Sequence, residues 1–202
     1  MIPLSVPNLS GNEWKYIKKC LDTNWVSSVG SFVTKFEKSI TKFTGGGYAV
    51  ATSNGTSALH ISLLLSGVKK NDLVIVPNLT FVASVNSIKY CGADPILADV
   101  DFQTWQMDLN LLEKFLSEKT VIKTDICFHK KSGRKIKAIM PVHVLGNMCN
   151  MDRLISIAKK YNLTVIEDAT EALGSSFKDK HAGTFGKFGC FSFNGNKIIT
   201  TG

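Results

Sequence analysis

The feature that most constrains the fold of this chain is an alternation of short apolar runs with helical patterns. The near-continuous apolar runs occupy residues 73–77, 95–100, 136–142 and 163–168. Residues with helical periodicity follow, for example at 80–90 and 151–161. Strands that are apolar on both faces are typical of a parallel sheet covered by helices on both sides. The sequence therefore predicts an α/β protein, with a three-layer α/β/α arrangement and a mainly parallel sheet, as one domain over residues 1–202.

Several local patterns give further predictions about single elements. Residues 10–13 have the pattern of a capping box before a helix. Residues 48–52 are predicted to form a short strand, and residues 191–193 a strand that leads into a small-residue loop. A β-hairpin is predicted from a first strand at 121–128 and a second at 136–142.

The charge balance raises the question of a nucleic-acid partner. The chain has 24 Lys and Arg against 16 Asp and Glu, which gives a formal net charge of +8. A basic surface is one footprint of nucleic-acid binding. Most of these residues are lysines scattered over predicted helix faces, and one cluster surrounds the turn at Ser132 and Gly133. Solvated lysines beside a strand explain that cluster, so no nucleic-acid partner is predicted.

Cysteine usage and the apolar pattern indicate a cytoplasmic protein without a membrane partner. The five cysteines are odd in number, and no two have CxxC spacing, which is typical of reduced thiols. Residues 1–7 lack the basic region and the long apolar run of a signal peptide. The apolar tract at 59–68 is interrupted by polar residues and is too short to span a bilayer.

A turn between a predicted strand and a helix contains small and hydroxyl residues, including Gly55 and Thr56. The N–H groups at a helix start, together with the helix dipole, suit a phosphate group. Serine and asparagine in such a turn are also ordinary helix caps. The turn matches neither the P-loop nor the GxGxxG pattern, so the residues leave both interpretations open.

Two residues in the last forty are the strongest candidates for chemistry. Asp168 ends an apolar strand, and Lys197 follows an Asn-Gly-Asn turn and precedes two isoleucines. The two side chains can form a plain ion pair at the sheet edge. They can also be the two anchors of a cofactor, because a lysine in apolar surroundings can serve as a nucleophile or a base. No histidine pair has metal-ligand spacing, so no metal is predicted.

Six short motifs, in order and at characteristic spacing over nearly the whole chain, resemble those of one family. They are SNGTSAL at 53–59, VPNLTFVAS at 76–84, PVH at 141–143, EDA at 167–169, GTFG at 183–186, and FSF at 191–193 with Lys197. By these motifs the chain resembles the DegT/DnrJ/EryC1/StrS aminotransferases, which are sugar aminotransferases of fold type I that depend on pyridoxal 5′-phosphate (PLP).

The resemblance implies a role for each matching position. Lys197 resembles the Schiff-base lysine, and Asp168 resembles the carboxylate that keeps the pyridine nitrogen of PLP protonated. The expected phosphate ligands are Gly55, Thr56 and Ser192. Phe81 resembles the aromatic residue stacked on the ring, although its position also suits a core residue at a helix start. Glu171 replaces the Gln or His that many members place beside the ring.

The resemblance also implies a reaction and an assembly. The expected enzyme moves an amino group from an amino acid, L-glutamate, to a nucleotide-linked keto-sugar in surface-glycan biosynthesis. The Asp-Ala-Thr-Glu sequence at 168–171 and the basic hairpin are most similar to enzymes that aminate C4 of UDP-linked 4-keto-6-deoxy-N-acetylhexosamines. Full-length members are expected to be homodimers.

Family members continue well beyond residue 202, through the rest of the large domain into a small C-terminal domain. The resemblance therefore predicts that this chain is a C-terminally truncated form, with the N-terminal segment and most of the large domain. An inactive remnant is the alternative to a working enzyme. A cysteine desulfurase or sugar dehydratase relative is a third interpretation, and Lys197 argues against the dehydratases, which usually lack that lysine.

Overall fold

A seven-stranded sheet forms the centre of the computed structural model, which describes residues 6–201. Five strands are parallel: β1 (Leu73–Pro77), β2 (Asp94–Ala98), β5 (Lys135–Ile139), β6 (Thr164–Asp168) and β9 (Phe188–Cys190). They lie in the order β2–β1–β5–β6–β9. The antiparallel strands β3 (Thr120–Lys123) and β4 (Ile126–His129) join the sheet at the beginning of β5. The predicted mainly parallel sheet is confirmed.

Helices cover both faces of this sheet. The four covering helices are α3 (Gly55–Leu65), α4 (Val82–Tyr90), α5 (Leu109–Lys119) and α6 (Met151–Lys160). Side chains alternate between the faces of a strand, and β1 shows the consequence. Val74 and Val76 pack with residues of α3 and α4, whereas Leu73 and Ile75 pack with residues of α5 and α6. The predicted three-layer α/β/α arrangement is therefore confirmed.

The N-terminal helices differ from the other four. None of the residues in α1 (Glu13–Asp22) or α2 (Ser31–Thr44) is buried. The apolar stripe of α1 remains exposed, and Trp14 keeps 72% of its surface accessible. The predicted capping box is wrong, because α1 begins at Glu13, and its cap residue Asn12 makes no side-chain capping bond. Residues 1–5, which contributed to the prediction that residues 1–7 are not a signal peptide, lie outside the described part of the chain.

The strand predicted at 48–52 is wrong. The backbone N–H groups of Ala49 and Ala51 donate to the side chains of Thr41 and Glu37 on α2. The segment thus has side-chain partners in place of a neighbouring strand, and Tyr48 is fully exposed. A short run of apolar residues was the signal for this strand, and such a run does not show whether a neighbouring strand is available.

Two other strand predictions are corrected in position. The first hairpin strand, predicted at 121–128, is divided into β3 and β4 by a turn at Thr124 and Asp125, which have positive φ angles of 47° and 59°. In place of the strand predicted at 191–193, the structure has β9 at Phe188–Cys190, because the pairing with β6 stops where Asp168 meets Cys190. A small hairpin of β7 (Ser176–Phe177) and β8 (Lys180–His181) was not predicted. Among the helices within residues 6–201, none combines the length and apolar character needed to cross a bilayer.

The start of α5 depends on Asp108, whose Oδ1 accepts hydrogen bonds from the N–H groups of Asn110 (2.7 Å) and Leu111 (3.0 Å). We expect Asp108→Ala to lower the free energy of unfolding by about 1 kcal/mol, because two N–H groups lose their acceptor. Urea denaturation followed by circular dichroism measures the change. Asp22→Ala, which removes an exposed ion pair with Lys18, is the control and is expected to have a smaller effect. Equal losses in the two variants would contradict the capping role.

Candidate active site

The predicted site residues lie where parallel strands end. Ligands in open α/β sheets bind in the crevice at the carboxyl ends of the strands. Asp168 ends β6, Ser192 follows β9 by two residues, and Phe81 follows β1 by four. The start of α3 at Gly55 approaches the same edge.

Gly55 brings three segments together. It is the first residue of α3 and is buried. A Cβ built at Gly55 would lie 3.2 Å from Cγ2 of Thr170 and 3.3 Å from Cβ of Ser192. Such contacts are tighter than ordinary packing, so a larger residue would displace one of these neighbours. The structure thus places Gly55 and Ser192, two predicted phosphate ligands, side by side.

The turn before α3 supports both interpretations left open by the sequence. Asn54 caps the helix, because its side-chain oxygen accepts a hydrogen bond of 2.8 Å from the Ser57 N–H. The N–H groups of Gly55 and Thr56 lie in the first turn of α3, where the helix itself provides no carbonyl acceptor for them. A cap at Asn54 and an anion at the two earlier N–H groups are therefore compatible.

Asp168 is held entirely by uncharged donors. Its side chain is nearly buried, at 3% exposure for the residue. Oδ1 accepts hydrogen bonds from the Thr170 hydroxyl (2.7 Å) and the Thr170 N–H (3.2 Å), and Oδ2 accepts one of 2.6 Å from the Ser84 hydroxyl. A buried carboxylate requires such donors. Asp168 therefore has no need of a lysine partner.

Lys197 pairs with a different acid. Its Nζ lies 3.1 Å from Oε1 of Glu171, while Oε2 of Glu171 accepts a hydrogen bond of 3.0 Å from the Leu145 N–H. Burial by itself would raise the pKa of Glu171, but the bonds from Leu145 and Lys197 outweigh it and the pKa is lowered. This ion pair is therefore present at neutral pH and is lost as the pH falls through the lowered pKa. The simple pairing of Asp168 with Lys197 is not what the structure shows.

Phe81 is not the core residue that one interpretation expected. It occupies the cap position of α4, and 72% of its surface is exposed. An exposed aromatic ring at the ligand edge of the sheet is available to stack on a planar group.

Glu167, next to Asp168 in the chain, holds the loop before β9 and was not identified as important from the sequence. Glu167 is completely buried, and its carboxylate accepts hydrogen bonds from the N–H groups of Gly183 (2.8 Å), Phe185 (2.6 Å) and Gly186 (2.7 Å). Its Oε2 also lies 3.0 Å from Nε2 of His143. Glu167 thus fixes the loop that leads into β9. An acid inside an otherwise apolar strand was the available signal.

His143 connects this support to Asp168. Its backbone N–H donates to the carbonyl oxygen of Asp168 (3.0 Å), and the Asp168 N–H donates to the carbonyl oxygen of Pro141 (2.9 Å). The ring is buried, and within the described part of the chain its Nδ1 atom has no hydrogen-bond partner. The backbone of Asp168 is therefore held on both sides by the segment that follows β5.

The thiols give no nucleophile at this edge. Cys190 ends β9, but burial raises its pKa to about 12. Burial also raises the pKa of Cys149 to about 12, and those of Cys91 and Cys127 lie above the ordinary value for the same reason. Only Cys20, on α1, is partly exposed among the five, and all five are free thiols.

Comparison with known proteins gives consistent matches over the whole chain. The family model described as "DegT/DnrJ/EryC1/StrS aminotransferase family" matches residues 7–202. A relative from Caulobacter vibrioides, named GDP-perosamine synthase, is 45% identical over 201 residues, which cover 100% of this chain and 50% of the relative. A Bacillus subtilis relative, the putative pyridoxal phosphate-dependent aminotransferase EpsN, is 41% identical over 200 residues, 99% of this chain and 49% of the relative.

Solved structures agree with the sequence matches. The PLP form of the putative sugar aminotransferase Spr1654 from Streptococcus pneumoniae superposes with a TM-score of 0.83 at 29% identity, over 99% of this chain and 50% of that one. The chain thus spans about half the length of the curated relatives it matches.

Proposed function

Because the chain belongs to the DegT/DnrJ/EryC1/StrS aminotransferase family, we propose that it provides the catalytic residues of a PLP-dependent sugar aminotransferase. The family is PLP-dependent, and solved relatives include PLP and pyridoxamine-phosphate forms. The observation that carries the proposal is the separation of the two central residues. Asp168 is satisfied by hydroxyl and N–H donors, while Lys197 pairs with Glu171, so each can meet a different part of one ligand.

The residues present fit PLP. Gly55, Thr56 and Ser192 would hold the phosphate, because only a glycine at position 55 lets the helix start and Ser192 approach each other this closely. Phe81 would cover one face of the pyridine ring. Asp168 would accept a hydrogen bond from the protonated ring nitrogen.

PLP, when bound, supplies the electron sink that amino-group transfer requires. The amine of Lys197 would hold the cofactor and would also serve as the base that takes the proton from Cα of the donor. Glu171 lies against Nζ and gives that ammonium a counter-charge whenever the lysine is free. Asp168 would keep the ring nitrogen protonated, which would strengthen the electron sink.

The family and the relatives support a proposal for the substrates. We propose L-glutamate as the amino donor and a nucleotide-linked 4-keto-6-deoxy sugar as the acceptor. The sequence resemblance favours a UDP-linked sugar, whereas the relative from Caulobacter vibrioides is named for a GDP-linked product. Both nucleotides are therefore compared in the test. The proposal also places the reaction in amino-sugar and surface-glycan biosynthesis.

A homodimer in the cytoplasm is part of the proposal. Exposed apolar side chains on α1 and on the segment after it, including Trp14, Ile17, Trp25 and Val26, support a partner surface. The five free thiols support a reducing compartment.

The test is an assay of the purified protein with PLP, L-glutamate, and either a GDP-linked or a UDP-linked 4-keto-6-deoxy sugar. We expect mass spectrometry to find the amino sugar and 2-oxoglutarate in equal amounts for one of the two nucleotides. The control is the same reaction mixture without L-glutamate. If PLP binds at Lys197 but neither sugar is aminated, the result supports the second candidate, an inactive relative.

A further inference from the structure

Ser84 links helix α4 to the carboxylate of Asp168. The residue is fully buried in the first turn of α4, and its Oγ lies 2.6 Å from Oδ2 of Asp168. An ionised carboxylate has no hydrogen to donate, so Ser84 must be the donor. The Thr80 hydroxyl lies 2.7 Å from the Ser84 Oγ on the other side and can donate to it.

The hydrogen bonds of Asp168 are distributed unequally over its two oxygens. A carboxylate oxygen accepts about two hydrogen bonds. Oδ1 already accepts two, both from Thr170, whereas Oδ2 accepts one, from Ser84. Oδ2 is therefore the oxygen with room for a further donor. Rotation of the carboxylate out of its present plane would break the bond to Ser84, so this hydroxyl holds the open acceptor position of Oδ2 in place.

We propose that Ser84 is a positioning residue that orients Asp168 so that Oδ2 accepts the hydrogen bond from the ring nitrogen of PLP. The inference rests on the proposed function and adds a residue that acts through Asp168. Phe81, the cap residue of α4, lies three residues before Ser84. The start of α4 therefore carries both the exposed aromatic residue proposed for the ring face and the buried serine that bonds to Asp168.

The chain offers a matched control for Ser84. Ser87 is one turn further along α4 and is also fully buried. Its hydroxyl donates 2.7 Å to the backbone carbonyl oxygen of Ser84, and it has no hydrogen bond to Asp168 among those of residues 6–201. Ser84→Ala and Ser87→Ala therefore remove the same group from the same helix, and only the first removes a bond to Asp168.

The experiment measures the dissociation constants of two ligands by spectroscopic titration. The ligands are PLP and the analogue with carbon in place of the ring nitrogen, which cannot bond to Asp168. We expect Ser84→Ala to raise the constant for PLP about tenfold, the scale of a hydrogen bond to a charged group. The constant for the analogue should stay within about twofold of the wild-type value. Ser87→Ala should leave the ratio of the two constants unchanged, and Ser84→Thr, which keeps a hydroxyl, should restore PLP binding.

The outcomes separate this inference from the proposed function. If Ser84→Ala weakens both ligands equally, or neither, Ser84 does not act through the ring nitrogen and the inference is overturned. Borohydride reduction of the wild-type protein with PLP, followed by peptide mass spectrometry, tests the proposed function by itself. A pyridoxyl group on Lys197 keeps that function standing whatever Ser84 does, and its absence removes both.

Discussion

Replacement of Lys197 with alanine is expected to abolish covalent capture of PLP. The Lys197 amine is largely shielded, with 16% of its side chain exposed, and it is held at the strand ends by Glu171. The variant lacks the amine that is proposed to bond the cofactor and to move the proton at the donor Cα. We expect borohydride reduction to leave no pyridoxyl group on the variant. Turnover should fall by roughly three orders of magnitude or more, as when a residue that acts on the reacting atoms is removed.

The matched control for this variant is Lys187→Ala. Lys187 directly precedes β9. Within residues 6–201, its Nζ makes one hydrogen bond, of 3.5 Å, to the carbonyl oxygen of Leu65. The Lys187→Ala variant should retain both the pyridoxyl label on Lys197 and the activity. A pyridoxyl group elsewhere at unchanged yield in Lys197→Ala, or unchanged turnover, would contradict the assignment.

The second large effect concerns stability. Glu167→Ala is expected to lower the free energy of unfolding by about 3–5 kcal/mol, the range for removing one member of a buried charged network. Four donors lose their acceptor at once: the N–H groups of Gly183, Phe185 and Gly186, and the ring of His143. Each buried group left without a partner is destabilising. Guanidinium denaturation monitored by fluorescence and by circular dichroism measures the loss.

Glu113→Ala provides the comparison. Glu113 pairs with Arg153 in a partly exposed ion pair on the surface of α5 and α6, and exposed pairs contribute at most about 1 kcal/mol. If the two glutamate variants lose similar stability, Glu167 does not organise the loop before β9 in the way its contacts indicate.

The sequence predicted the layers of the fold well because burial on two faces leaves a direct trace. Every residue of β1 is apolar and buried. A run of five such residues has the length of a buried strand and is too short for a typical helix. The strand predicted at 48–52 had apolar residues but no neighbouring strand, and a neighbour is a property of the fold. The same applies to the division of 121–128 into two strands, which depends on a turn with positive φ at Thr124.

The sequence suggested the positions of the candidate site, but not its contacts. Asp168 was selected because it ends a predicted strand and Lys197 because it follows a predicted strand and a turn, whereas the pairing of Lys197 with Glu171 joins residues 26 positions apart through loop geometry. The hydrogen bond from Ser84 spans 84 positions and leaves no local pattern. The roles of Gly55, Thr56, Phe81, Asp168, Glu171, Ser192 and Lys197, the single incomplete domain and the absence of a metal stay predictions.

The distribution of thiols has a practical consequence. Four cysteines are buried and have raised pKa values, whereas Cys20 is partly exposed on α1, a helix whose apolar stripe faces outward. Thiolates, and not thiols, react with alkylating dyes. Because Cys20 is partly exposed and the other four are buried, a maleimide fluorophore is expected to attach at Cys20 in the native protein without any engineered cysteine. It places a reporter on α1, where its emission follows the polarity of whatever comes to cover that helix.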